Sequence, residues 1–491
     1  MEIFTNQFNQ DSPQLYNALD TMLTAEVFEN LSSLIPQSQP IYNFELALQA
    51  PVIEMQLRGI KIDLFKLGDM VSKLKRDRII IEKILKKLVS ACWDKPWIYN
   101  KNSQPTFPNS NTQLIDFFYT TLGLKPIIQR TKGESKTPMD RETLEKLSIH
   151  FQTRPIISLI LAYRDICGKL EVLEAGIDSD SRMRCSINIA ATTTGRFSTS
   201  QSTTGSGQNL QNVTEDLRHI FISDPGYKIA GIDKSQAESR EVGYFCGITF
   251  DDWSYLDIIE TDDIHTYCCK LIWPNLPWTK DKKENRKIAE QPFYRHLTYR
   301  DMVKRAGHGS NYLGQPYMIS QEIKVPQKMI QDFQEPYFKI FPCIKNMHYW
   351  VAEQLQTKGY IINVFGRRRD FFDRADSRET LKQAVAYLFQ SATADDLNLG
   401  LWRIWKYLPQ AQLLLQLHDA VYFQFLETED EKKIIQAAQK LLDVKLTHKG
   451  RDFIVPTEPL IGYNLGHRYK RDEFGNKKEV NPRGLNEPKW I

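Results

Sequence analysis

Cysteine is scarce in this chain and shows no pattern: there are seven in 491 residues, with Cys268 and Cys269 adjacent and no CxxC pair. Such a set excludes a disulfide framework and a paired-cysteine zinc site, and it points to a reducing compartment. Long apolar runs are missing too. No stretch reaches the roughly 18 residues that a membrane-crossing helix needs, and no charged-then-apolar leader opens the chain, so the reading is a soluble, unexported protein. Charge is nearly balanced, 64 Lys and Arg against 60 Asp and Glu, for a formal net charge of +4. No global positive field announces a polyanionic partner. Internal repeats and low-complexity tracts are also absent.

What is present begins with size: the length suits a large core and two to four structural units. Basic residues cluster locally, in KLKRDR (73–78), KILKK (83–87) and GRRR (366–369), and such patches can bind phosphate backbones or simply face solvent. In YRDMVKRAGHGSNYLGQP (299–316), Arg300, Lys304, His308 and Tyr312 recur every four residues. On a helix that spacing keeps them on one slowly drifting face. Two cations followed by an imidazole and a phenol suit a polyphosphate at one end and a flat base at the other. Gly307, Gly309 and Gly314 are expected to interrupt the helix and admit close packing.

In chain order, the pattern predicts a helix over 16–31, a helix-like segment and a short strand over 41–63, and a long helix over 64–91. Leu67, Val71, Leu74, Ile81, Ile84, Leu85 and Leu88 form that long helix's apolar stripe. A loop-rich stretch (93–140) holds a shorter helix at 112–123, and a second long helix is predicted over 141–175. Residues 183–193 alternate like a strand, and the Gly/Ser/Thr-rich 193–212 reads as a loop. An apolar strand over 228–235 ends near Asp233, and 236–246 and most of 250–360 read as helical. Residues 361–372 are strand-like around a Gly turn, 378–407 helical, and 413–425 two apolar strands around His418-Asp419. A last helix (429–446) leads to a strand and a basic, Gly-rich tail.

Asp233 and Asp419 each terminate apolar strands, where a carboxylate is costly to bury without a cation. Two such carboxylates with Lys and Arg nearby are what a two-magnesium phosphoryl-transfer site requires. By spacing alone they could equally be unrelated turn residues.

Several ordered blocks carry a resemblance: TTGRFS…QNLQN (193–212), DKSQAESR (233–240), DIHT (263–266), RDMVKRAGHGSNYLG (300–314), FGRRR (365–369), QSATADD (390–396) and LHDA (417–420). Their order and rough spacing resemble the polymerase region of the bacterial DNA polymerase I family (family A), over about residues 41–466. FPNSNTQL (107–114) and LAYRDICGKL (161–170) look like that family's thumb. The resemblance implies a mixed α+β right hand. Its parts would be a stub (1–40) as an exonuclease remnant, the start of the palm (41–63), thumb (64–182), palm (183–248), fingers (249–357), and palm with a C-terminal tail (358–491).

It also implies template-directed addition of deoxynucleoside triphosphates to a primer, with two Mg²⁺ ions for which Mn²⁺ could substitute. Asp233 and Asp419 match the metal-binding aspartates, with the backbone carbonyl of Lys234 as a further ligand. Lys304 matches the lysine that binds the triphosphate and serves as general acid. Arg300, His265, His308, Tyr312, Glu238 and Gln236 fall at nucleotide-binding positions, with Glu238 crowding the sugar 2′ position. Arg196, Asn209, Gln211, Asn212, Gln390 and His418 fall at primer–template positions, where degenerate minor-groove contacts are expected.

The chain departs from the family at His308 (commonly Phe or Tyr), Lys234 (Tyr), Leu313 (Gly), Ala386 (Asn) and Ala420 (Glu). YNALDTMLT (16–24) resembles only the last of three acidic exonuclease motifs, so no proofreading is expected of this chain alone. A separate exonuclease subunit or replisome proteins are candidate partners. A phage or mobile-element replicase in a host cytoplasm is the expected setting. The rival readings are a single-subunit RNA polymerase, which Glu238 opposes, and an inactive polymerase fold serving as a DNA-binding module, which the retained Asp233, Asp419, Lys304 and Arg300 oppose.

Overall fold

Four antiparallel strands hold the centre, in the order Gln412–Leu417, Ala420–Leu426, Tyr227–Lys234, Thr457–Gly462. The computed structural model describes residues 13–32, 39–131, 134–203, 205–295, 297–471 and 477–490. Of the expected N-terminal stub, 1–12 and 33–38 lie outside the described residues. One face of the sheet is apolar by alternation: Ala230, Ile232, Val421 and Phe423 are buried there. They pack with Leu397, Leu401 and Ile404 of the long helix Arg378–Tyr407 and with Ile435 and Ala438 of Glu431–Leu442. On the other face Gly231 lies under the Tyr422 ring, which a β-carbon there would meet at 2.6 Å. Only glycine fits at that strand position.

Two further cores flank the first. One is helical and gathers Val303, Ala306, Phe333, Tyr337, Met347 and Val351 with the start of the Arg378–Tyr407 helix, through Val385 and Phe389. The other joins the far end of Leu64–Ser90 (Leu85, Val89) to Phe107, Phe117, Phe118, Ile157 and Ile160. That helix bridges two cores: near its start Leu67, Val71 and Leu74 rest half-buried on the first. Ile84 and Leu88 of the expected stripe are exposed, because the helix meets its neighbours on a narrower face than the apolar spacing suggests.

Three expectations are corrected. The helix predicted over 141–175 is two, Arg141–Leu147 and Arg154–Leu173, with Pro155 in the first turn of the second, where its missing N–H costs nothing. The 193–212 loop contains a strand, Ser198–Gln201, paired with Cys185–Asn188. Gly307 and Gly309 do not interrupt the Tyr299–Asn311 helix. A β-carbon on Gly309 would meet Ile319 at 2.9 Å, so this glycine admits close packing as expected without breaking the helix. The 378–407 helix and the hairpin around Gly366 fall where predicted. Among the described residues the seven cysteines are all free, and no helix is long and apolar enough to cross a membrane.

Candidate active site

Asp233 stands one residue before the end of a central strand, and Asp419 sits in the two-residue turn joining the neighbouring pair. His418 makes that turn possible by adopting φ +54°. The Lys234 N–H donates to the Asp419 carbonyl at 3.0 Å, which seats the turn beside the strand end. Across the sheet, Ala420, Asp233 and Glu458 occupy one row in register, so Glu458 flanks Asp233 on the side away from Asp419. Residues directly opposite on one face have β-carbons only ~5 Å apart.

Electrostatics follow from this crowding. Partial desolvation at the cleft wall, then the Asp419 and Glu458 charges, push the Asp233 carboxyl up to about 6 even though the residue keeps an exposed edge. Burial also raises Asp419, with Arg196 opposing the shift and Glu238 adding to it. Arg196 is the cation at hand, 3.8 Å from Asp419, but its guanidinium already donates to Glu238 at 2.6 Å. Asp233 and Glu458 face an open cleft of about 800 Å³ whose other charged walls are Arg218, Lys432 and Glu487.

From Glu238 the network continues to the cationic helix. The Tyr312 hydroxyl donates to Glu238, and burial and that carboxylate hold the phenol well above its ordinary pKa. His308 lies 3.9 Å from the same carboxylate and 4.7 Å, ring to ring, from Tyr312. Asp419, Arg196, Glu238 and Tyr312 thus form one chain from the sheet to the Tyr299–Asn311 helix. Lys304 and Arg300 sit about two and three turns further along it. Lys304 is exposed. Arg300 is gripped by both oxygens of Asp263, at 2.8 and 2.9 Å. Asp263 in turn caps the Ile264–Ile272 helix that carries His265. Burial, and then the Arg300, Lys304 and His308 charges, lower the His265 ring to about 4, against the pull of Asp263. A neutral imidazole beside Arg300 and Lys304 is a hydrogen-bonding group, not a further charge.

The remaining expected residues divide. Gln211, Asn212, Arg196, His418 and Asp419 line a second cavity of about 250 Å³ beside the turn. Gln211 donates weakly to the Phe197 and Gln416 carbonyls, at 3.3 and 3.4 Å. Asn209 accepts from Thr199 and from the Gln211 N–H, so its carbonyl oxygen is occupied within the protein. Gln236 is exposed with φ +52°, opening the Ala237–Phe250 helix. Gln390 is half-buried on the Arg378–Tyr407 helix. The GRRR patch is not a free basic surface. Arg367 is buried against Asp395 and Glu45, Arg368 pairs with Asp370, and Arg369 lies over Phe371. Sequence reasoning missed Glu458 and the clamp of Asp263 on Arg300. Register across a sheet and a contact 37 positions away leave no trace in local spacing.

The donor set fits divalent cations of the hard, oxygen-seeking kind. Asp233 faces the larger cleft and Asp419 the smaller cavity beside the turn, and among the described residues no group of three or more His, Cys, Asp or Glu could hold an ion alone. Magnesium is commonly held so, by one or two carboxylates completed by substrate oxygens and water.

The family model for DNA polymerase family A matches residues 95–459. The chain is 25% identical over 479 residues to the thermostable DNA polymerase I of Thermus filiformis, covering 92% of this chain and 52% of that protein. It is 25% identical over 472 residues to DNA polymerase I of Chloroflexus aurantiacus, covering 90% and 45%. It thus spans about half the length of the curated relatives it matches. Among solved structures, the POL domain of Pol1 from M. smegmatis, in complex with DNA primer-template and dNTP, superposes with a TM-score of 0.69 at 21% identity. That match covers 89% of this chain and 72% of the other, and it establishes the mixed α+β fold as that of a polymerase domain.

Proposed function

The chain belongs to DNA polymerase family A, and from that premise we propose that it extends a DNA primer by template-directed addition of deoxynucleotides, with Asp233 and Asp419 as the metal-binding carboxylates. The observation that carries the reading is their juxtaposition at one strand end, joined through Arg196 and Glu238 to the cationic helix. In this reading the central sheet is the palm, the helical core around Val303 and Val351 the fingers, and the core around Phe117 and Ile160 the thumb.

Bound Mg²⁺ or Mn²⁺ would supply charge neutralisation and a more acidic primer 3′-hydroxyl, held by Asp233, Asp419 and the Lys234 carbonyl. Arg300 and Lys304 bind the triphosphate, and Lys304 delivers a proton to the departing pyrophosphate. Asp263 keeps Arg300 extended until phosphate oxygens compete for its fork. Tyr312 and His308 present rings toward the base, and Gln236 borders the nucleotide. Glu238, fixed by Arg196 and Tyr312, crowds the sugar 2′ position and selects against ribonucleotides. Arg196, Gln211, Asn212 and His418, which line one cavity beside the turn, contact the primer–template near the growing end, together with Asn209 and Gln390.

Primer extension with each nucleotide class, with and without Mg²⁺, tests the reading. Metal-dependent extension with deoxynucleotides is expected. Equal use of ribonucleotides would favour the RNA polymerase alternative, and no extension with retained DNA binding would favour the inactive module. The proposal extends to proofreading: this chain by itself leaves a mismatched primer end uncut. In support, Tyr16 is 70% exposed on the Pro13–Ser32 helix, one turn from Asp20. The departures at Lys234, Leu313 and Ala420 support phage or mobile-element replication as the setting.

A further inference from the structure

Behind the cleft, on the apolar face of the central sheet, lies a charged group that the proposed chemistry does not use. Lys234 follows Asp233 and so points the opposite way, with its side chain 0% exposed. Its ammonium lies 2.7 Å from Asp396, itself 2% exposed, and donates to the Leu442 carbonyl at 2.6 Å. Asp396 belongs to the Arg378–Tyr407 helix, and Leu442 ends the Glu431–Leu442 helix. Glu241 is buried nearby with neither carboxyl oxygen hydrogen-bonded. Burial first, and then the Asp396 charge, raise its carboxyl well above the ordinary value. The ammonium and the Asp396 carboxyl, which burial raises to about 6 against the pull of Lys234, are both sealed from water.

Such a pair is a poor stabiliser, because desolvating two charges offsets most of their attraction. What it does supply is direction. A lysine ammonium held between two fixed acceptors on two helices cannot slide along the sheet normal. The same residue's backbone N–H holds the Asp419 turn at 3.0 Å, and its register partner is Thr457, next to Glu458. One residue is thus pinned behind the sheet by its side chain and bonded in front of it, through its backbone, to the second carboxylate.

We propose that the buried Lys234–Asp396 pair is a positioning device for the active site, holding the peptide between Asp233 and the Asp419 turn so that both carboxylates meet the same ions. The inference rests on the reading of Asp233 and Asp419 given above. The Lys234 side chain and Asp396 touch neither substrate nor ion and act through the strand end, whose backbone carries the Lys234 carbonyl.

The test replaces both members at once, Lys234→Met with Asp396→Leu, since removing one charge would strand the other. The readouts are Mn²⁺ affinity of the full chain by electron paramagnetic resonance, the unfolding midpoint, and kcat and primer–template KM in extension. The double variant is expected to fold with a midpoint near the parent's. Mn²⁺ affinity and kcat should each fall about tenfold, the scale of losing a group that orients metal ligands, with KM unchanged. A folded double variant with parental Mn²⁺ affinity and kcat overturns the proposal. Should it fail to fold, Lys234→Gln with Asp396→Asn decides, because it removes both charges together and keeps polar groups of similar size. About threefold weaker Mn²⁺ binding is expected there, and parental binding overturns the proposal. Asp419→Asn runs alongside. If that variant still binds Mn²⁺ and extends primers normally, the reading of the site itself has failed. If only the double variant is parental, the positioning role alone has failed.

Discussion

Two ionic clusters stand near one another in this molecule and have opposite balances. Around Arg367, the protein supplies its own counter-charge. The guanidinium donates to Asp395 at 2.9–3.1 Å and to Glu45 at 2.6 Å, while Asn363 satisfies Asp395 at 2.8 Å. Gly195 belongs to this cluster too, since a β-carbon there would meet the Arg367 guanidinium at 2.7 Å. Around Asp233 and Asp419, the arginine within reach of Asp419 is already committed to Glu238, and Asp233 has two further acids, Asp419 and Glu458, as neighbours. The first cluster is closed and structural. The second is open on the side of the cleft, and the guanidinium nearest Asp419 is shared with Glu238. The difference is why the proposed metal and triphosphate sites fall in the second cluster, whichever motif is the more basic in the sequence.

The sharpest way to break this comparison is Asp419→Asn. It should lower primer extension by about 10³-fold, the scale of losing preorganised charge at a reacting centre, while primer–template binding stays measurable. Extension near the parental rate would remove Asp419 from the chemistry. The matching change in the closed cluster is Arg367→Ala, which strands Asp395 and Glu45. It should cost about 3–5 kcal/mol of stability in chemical denaturation, with a rate per folded molecule that changes far less than for Asp419→Asn. If instead it left stability intact and abolished catalysis, the division between the clusters would be wrong. Arg300→Ala comes next: about a tenfold rise in nucleotide KM, as one charge-assisted fork on phosphate is lost. An unchanged KM and turnover would mean that Arg300 serves Asp263 alone.

Much of this was legible before any coordinates, and the pattern of success has a physical basis. The 378–407 helix, the hairpin around His418-Asp419 and the strand through Asp233 are local, because periodicity and turn chemistry decide them. The cationic face from Arg300 to Tyr312 was legible for the same reason. The GRRR stretch shows the converse. Its composition suggests an open basic patch, yet Arg367 is only 9% exposed, because its partners Glu45 and Asp395 come from distant segments. The break at 148–153 was hidden because Ile149 and Phe151 continue an apolar pattern although both are exposed. Glu458 was hidden because its neighbour is set by strand order, which spacing does not encode.

The finest test concerns Glu458 and takes the comparison to a single charge. Asp233 has a folded-state pKa of about 6 against an ordinary 3.8, and Glu458 is one of the causes, after partial desolvation and Asp419. In metal-free protein between those values, the folded state holds a proton that the unfolded chain has released. Its contribution to stability therefore falls as pH rises through that window and is restored as pH drops below it. Metal binding has the opposite sign, because only the ionised carboxylate is a ligand, so Mn²⁺ affinity should fall as pH drops through about 6. Glu458→Gln removes one repelling charge without changing the side chain's size. Both profiles should then move to lower pH, by a fraction of the total shift, since the larger causes remain. Carbon-13 NMR titration of the Asp233 carboxyl reads the pKa directly, and Mn²⁺ binding across pH 5 to 7 reads its consequence. If Glu458→Gln left the Asp233 titration where it was, Glu458 would be a bystander on the sheet edge. The raised Asp233 carboxyl would then rest on partial desolvation and Asp419 alone.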